Sequence, residues 1–129
     1  MKVILLVLLL AISGNAAAEW VYLSENDSDA LYADPSTKRR SGNLTKMWTL
    51  ADLKSPTGQP YGDKAFKSIK SQMEYDCKKE LVQSLAVILH SGNMGGGVAI
   101  ASDNGLRQWV PVSPGSGQEF EWKFACGKK

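Results

Sequence analysis

The chain has little of what enzymes and membrane proteins are usually built from. Its 129 residues include one histidine and two cysteines. Its only long apolar run, Val3 to Ile12, is ten residues. A membrane-spanning helix needs roughly 20, so none is expected. That run instead follows a single Lys2 and leads through small and polar residues to Ala16-Ala17-Ala18, the pattern of a cleaved signal peptide. The expected mature chain starts at Glu19 and keeps 111 residues, 129 less 18. That is room for one domain, 19–129, and excludes a multidomain enzyme. A bacterial lipoprotein would carry cysteine where Glu19 stands, so no lipid anchor is expected and the product should be periplasmic or secreted. An excess of one charge is also missing. Without Lys2 the chain has 14 basic and 13 acidic side chains, a net +1 that gives no global attraction to nucleic acid or an anionic membrane.

Two cysteines in an oxidising compartment are expected to pair, and Cys77 to Cys126 is the one intramolecular connectivity available. A zinc or redox pair is the competing reading, but there is no C-x-x-C and one histidine is too few for a ligand set.

The mature chain reads as short strands with turn chemistry between them. Trp20 to Glu25 is a strand, Asn26 to Asp29 a turn, and Ala30 to Ala33 a second strand that stops at Asp34-Pro35. A polar stretch ends in the turn signal Gly42-Asn43, and Leu44 to Leu53 is strand-like. Lys54 to Lys67, with Pro56, Gly58, Pro60 and Gly62, reads as a long loop. Ile69 to Cys77 alternates cleanly, with Ile69, Ser71, Met73, Tyr75 and Cys77 on the inward face. Leu81 to His90 is apolar on both faces and suits a central strand. Ser91 to Gly97 turns the chain into Val98 to Ser102, and Gln108 to Val112 can add a last strand, with Pro111 confining it to an edge. After Pro114 the period changes. Ser116 and Glu119 are spaced as a capping box opening a helix over Gln118 to Cys126, in which Phe120 and Phe124, and Trp122 and Cys126, fall at i and i+4. A helix this short is marginal alone, so the disulfide gives it a reason to persist. The expected fold is α+β: one small antiparallel sheet of about six strands with the C-terminal helix tied to one face.

The ordered set Glu19-Trp20-Val21, Tyr32-Ala33-Asp34-Pro35-Ser36-Thr37, Arg39-Arg40-Ser41-Gly42-Asn43, Met47-Trp48, Glu74-Tyr75-Asp76-Cys77, the glycine turn before Val98, Trp109-Val110-Pro111-Val112 with Pro114-Gly115-Ser116, and a final Cys126 resembles the surface-adhesin protein E family of Gram-negative bacteria. The resemblance spans nearly all of the mature chain. It implies the same sheet with a disulfide-held helix, and a non-enzymatic adhesive role. The family's named member binds host matrix and serum glycoproteins and haem, and is lipid-anchored, whereas this chain has Glu19 where a lipobox has cysteine. Host glycoproteins, or another envelope protein, are thus the expected partners, and haem is implied by the resemblance alone.

No catalytic or metal-ligating set is assigned. His90 has no nucleophile in a recognisable motif and reads as a strand-end residue, although with Met94 it is the one pair that a haem iron could use. Gly95-Gly96-Gly97 lacks the Lys-Ser/Thr of a phosphate loop and reads as a hairpin turn. Glu74 and Asp76 share an outward face with Lys70 and Gln72, as a solvated face does. The one local charge run, Lys38, Arg39 and Arg40, is placed in a loop between strands and is the candidate binding site for sulfated glycans or acidic protein segments. The plainer reading of the same run is a solvated turn that discourages edge pairing.

Overall fold

The structure is a computed structural model that describes residues 19–57 and 65–129; the expected signal segment lies outside them. Seven strands form one antiparallel sheet: β1 (Val21–Glu25), β2 (Asp29–Ser41), β3 (Leu44–Thr57), β4 (Phe66–Asp76), β5 (Leu81–His90), β6 (Ala99–Asn104) and β7 (Val110–Pro111). The first six lie in sequence order, and β7 pairs with β5. One α-helix among the described residues, α1 (Gly117–Cys126), follows. The expected α+β fold is therefore present, with three local corrections.

The first concerns β2, which runs through Pro35 instead of stopping there. Proline cannot donate to a ladder, and an interior strand tolerates it only where the ladder lets go. Here the β2–β3 register breaks between Asp34 and Arg39. In the gap, Asp34 Oδ1 accepts from the Ser36 backbone N–H at 3.0 Å and the Ser36 hydroxyl at 2.6 Å. The Thr37 hydroxyl donates to the Asp34 carbonyl and accepts from the Trp48 N–H at 3.0 Å. Side chains thus replace the missing ladder bonds, and β2 resumes with Arg39 opposite Lys46. The second correction shortens the expected loop over Lys54–Lys67. β3 continues to Thr57 and β4 begins at Phe66, while residues 58–64 lie outside those described. The third leaves only Val110–Pro111 of the expected strand Gln108 to Val112.

The core lies between the sheet and α1. Ala33, Met47, Tyr75, Cys77 and Val82 pack against Trp122, Ala125 and Cys126. Cys77 and Cys126 are bonded, with their Cα atoms 5.4 Å apart. Trp122 adds a hydrogen bond from Nε1 to the Asp76 carbonyl at 2.9 Å. The capping box forms, but its return bond shifts by one residue. Ser116 Oγ accepts from the Glu119 N–H, while Glu119 Oε2 accepts from Gly115 because the Ser116 N–H already bonds the Ser113 carbonyl. At the helix entry Gly117 lies against the Leu31 side chain, whose terminal methyl would have to move to admit a Cβ. Of the two i, i+4 stripes, Trp122 and Cys126 are buried, whereas Phe120 is half exposed.

The alternation of β4 holds where the helix lies and inverts in burial where it does not. Tyr75 and Cys77 are buried beneath α1, but at the other end Phe66 and Ser68, on the opposite face, are the buried pair. At Ser68 the cause is the glycine turn after β5. Its one-turn 3-10 segment, Asn93–Gly95, folds over β3 and β4. The Ser68 hydroxyl donates to the Gly92 carbonyl at 2.6 Å and accepts from the Gly95 N–H at 2.9 Å. Asp52 Oδ1 accepts from the Asn93 amide and the Met94 N–H.

Candidate functional site on the helix-free face

Directly paired residues of an antiparallel sheet share a face, so the register reads out what the face opposite α1 presents. One transverse row is Arg39, Lys46, Glu74 and Gln83. The next is Asp34, Trp48, Gln72 and Ala86, and the one beyond is Tyr22, Tyr32, Leu50, Lys70 and Ile88. The face is therefore basic at the β2–β3 hairpin end and aromatic in its middle.

The sequence places Lys38, Arg39 and Arg40 in a loop; the structure places them on β2, and it separates them. Lys38 is turned to the helix. Its Nζ donates to the Phe124 carbonyl at 2.6 Å and sits 4.3 Å from the centroid of the Phe124 ring. Burial lowers its pKa. Lys38 is thus a helix clamp. Arg39 and Arg40 are exposed and bond only backbone carbonyls, Arg39 those of Ser36 and Lys38, and Arg40 that of Gly42. Neither guanidinium has a carboxylate partner among the described residues. The register puts Arg39 on the helix-free face and Arg40, opposite Thr45, on the helix side, and with Ser41, Leu44, Lys46 and Glu74 the two line a cleft of about 280 Å³ at the hairpin end. Glu74, whose Oε1 accepts from Gln83 Nε2 at 2.7 Å, offsets one of the three cations, so the lining keeps a net positive charge. Lys46 is the residue the sequence reading missed. The signal for it was present, since a two-residue turn at Gly42-Asn43 sets Arg39 opposite Lys46 by counting back.

The other residues weighed from the sequence have structural employment. Asp76 Oδ1 accepts from the Lys78 and Lys79 N–H groups and shapes the turn after β4. His90 ends β5 as expected. Both its ring nitrogens are buried without a well-formed hydrogen bond among the described residues, and burial, then nearby Lys70, lowers its pKa against a smaller upward push from the Gly96 backbone. An iron could reach neither nitrogen with the ring as it stands, so His90 and Met94 do not fit haem in this conformation.

Two further features went unnoticed in the sequence. Glu121 is buried beneath the sheet, where its Oε2 accepts from the Tyr75 hydroxyl at 3.2 Å. Loss of hydration raises its pKa to about 7, against the lowering by the Tyr75 bond, with Asp29 adding a smaller upward push. On the helix side beyond α1, Val87, Leu89, Ala101 and the exposed Leu106 line an apolar trough of about 330 Å³ beside the edge strand β6.

A disulfide-tied sheet and helix with one covered face and one basic, aromatic face defines a small module of the binding kind. The family model for surface-adhesin protein E matches residues 20–127, and the chain belongs to that family. No curated protein matches the sequence. The fold is similar to that of Haemophilus influenzae protein E. Its crystal form II has a TM-score of 0.66 at 12% identity, covering 92% of this chain and 94% of that one. Protein E from non-typeable Haemophilus influenzae has a TM-score of 0.61 at 12% identity, over 92% of this chain and 82% of that one. At such identity the likeness is one of fold. Family membership supports an adhesin-like surface protein and suggests a non-enzymatic one. It is consistent with export, and no helix among the described residues is long and apolar enough to cross a membrane.

Proposed function

We propose that the chain is a non-enzymatic binding protein that captures acidic glycoproteins or glycans of a host surface through the basic corner at the hairpin end of β2 and β3. The observation that carries this reading is Arg39, exposed opposite Lys46, with the exposed Arg40 next to it at the hairpin end, neither guanidinium having a carboxylate partner among the described residues. Guanidinium groups bind sulfate and carboxylate in paired hydrogen bonds, so two of them beside an ammonium suit a polyanion. Exposed charges are screened over about 8 Å at physiological salt, so affinity should be modest and fall as salt rises.

The test is binding of heparin and of matrix glycoproteins at low and high salt, by the wild-type chain and by Arg39→Gln/Arg40→Gln/Lys46→Gln. Salt-sensitive binding that drops about 10-fold or more in the variant, equivalent to ~1.4 kcal/mol, is the expected result. Unchanged affinity would remove the basic corner as the site. Absence of binding to every such ligand would favour a periplasmic structural or envelope-stress protein whose partner is another envelope component.

A further inference from the structure

Next to the basic corner, and independent of its charge, lies a smaller cleft of about 220 Å³ lined by Trp20, Asp34, Thr37, Trp48 and Lys70. We propose that this cleft is a subsite for a single neutral hexose ring. It extends the preceding reading by naming a sugar subsite on the same face.

The composition argues for a sugar by elimination. Two half-buried indoles line a hollow below the roughly 300 Å³ at which drug-sized pockets begin. An indole presents a negative π face, on which a flat group with outward C–H bonds stacks well. A planar aromatic ring would use the same faces but leave Asp34 Oδ2 and the Lys70 ammonium without partners, and the place of an organic cation is already taken. Lys70 Nζ stands 5.7 Å from the Trp48 ring centroid, and a second positive charge there would meet repulsion. A fatty chain is excluded by the polar groups in so small a hollow. Asp34 is buried, and its two bonds to Ser36 fall on Oδ1, leaving Oδ2 without a partner among the described residues. A carboxylate oxygen that accepts, an ammonium that donates and an apolar face between them match a pyranose, which has hydroxyls around its rim and C–H bonds on its faces. Asp34 and Lys70 together leave the lining with no net charge to favour an anion or a cation, so the neutral ring is the one the site favours.

The backbone makes this cleft. Asp34 and Trp48 are cross-strand partners at the last rung before the Pro35 break, and the Thr37 hydroxyl fixes the Trp48 N–H across the gap. Its geometry is therefore set by the feature that let β2 pass through proline.

The full-length exported chain should be titrated with the methyl glycosides of glucose, galactose, mannose and N-acetylglucosamine, following the four indole N–H signals by NMR. The expected result is a saturable shift of two indole signals with at least one sugar, unchanged between low and high salt. Trp20→Ala should weaken it 10-fold or more while the other indole signals stay in place, and Lys70→Met, which keeps both indoles, should weaken it at least 3-fold. Failure of all four sugars to shift any indole signal overturns the proposal, as does a shift that survives both substitutions. The basic-corner variant serves as the separator. Loss of heparin binding with retained sugar shifts tells the two sites apart, and sugar shifts lost in that variant also overturn a subsite independent of charge.

Discussion

The two covers of this sheet are made in opposite ways. At one end a ten-residue helix closes one face through a disulfide, a buried tryptophan and a lysine clamp. At the other end a glycine turn closes the opposite face through two side chains, Ser68 and Asp52, each bonding the turn twice or more. The helix end is long-range in sequence, so closing it orders most of the chain. The turn end spans 24 to 42 residues, so loop closure costs nearly as much there, but no covalent bond and no helix core add to it. Stability should therefore concentrate at the helix, while the face between the two covers stays open for ligands.

The sharpest way to break that comparison is to cut the staple. Cys77→Ser/Cys126→Ser opens a loop of 49 residues and should cost about 4 kcal/mol in chain entropy. By hydrogen exchange, α1 amides should lose protection while the Gly95 amide keeps it. Equal loss at both ends would show that the two covers fold as one unit.

Next in size is a pH effect confined to the helix end. The folded pKa of Glu121 is raised to about 7 from an ordinary 4.5. Below 4.5 the carboxyl is neutral folded or unfolded, and its contribution is intact. Between 4.5 and 7 the unfolded chain ionises first and binds fewer protons, so stability falls as pH rises, by up to about 3 kcal/mol. Glu25 and Glu119, whose pKa values are lowered by hydrogen bonds first of all, push in the other direction. They are common to wild type and Glu121→Gln, so the difference between the two isolates Glu121. Denaturant unfolding from pH 4 to 8 should show the variant equal to wild type at the acid end and more stable at the alkaline end. A constant difference across the range would refute the assignment.

At the turn end, Ser68→Ala removes both bonds of one buried hydroxyl and leaves the Gly95 N–H without its partner, for a cost of about 2 kcal/mol. The Gly95 amide should exchange faster while α1 is unaffected.

What the sequence disclosed follows the same division. The helix end was legible because its signals are local or unique: the Ser116 and Glu119 spacing, and one cysteine pair. The strand period of Ile69 to Cys77 was also legible, but which face is buried depends on what packs there, and nothing in Ser68 announces that a turn from beyond β5 will cover it. Pro35 misled for a related reason. A proline normally ends a strand, and the side chains that replace its ladder bonds, Asp34, Ser36 and Thr37, look like ordinary turn residues until Trp48 is known to lie opposite. Ending β2 early turned a strand into a loop and merged three cations with two different roles. Glu121 was invisible because a glutamate in the first turns of an amphipathic helix reads as solvent-facing, and only the Tyr75 hydroxyl beneath it accounts for its burial.

The smallest effect separates those three cations. Lys38→Met keeps the aliphatic stem against Phe124 but deletes the bond to its carbonyl and the cation over its ring, and should cost about 1 kcal/mol. The loss should show as fraying of the last turn of α1, with heparin affinity nearly unchanged. Arg39→Gln/Arg40→Gln should do the reverse. Exposed guanidiniums bonded only to nearby carbonyls contribute within about 1 kcal/mol to folding, so the melting temperature should hold while heparin affinity drops. The two variants together test whether one run of basic residues has been divided between holding the helix and meeting a ligand. If Lys38→Met weakened heparin binding as much as the arginine pair at unchanged stability, its ammonium would have to reach solvent, and the clamp on Phe124 would be the wrong account of it.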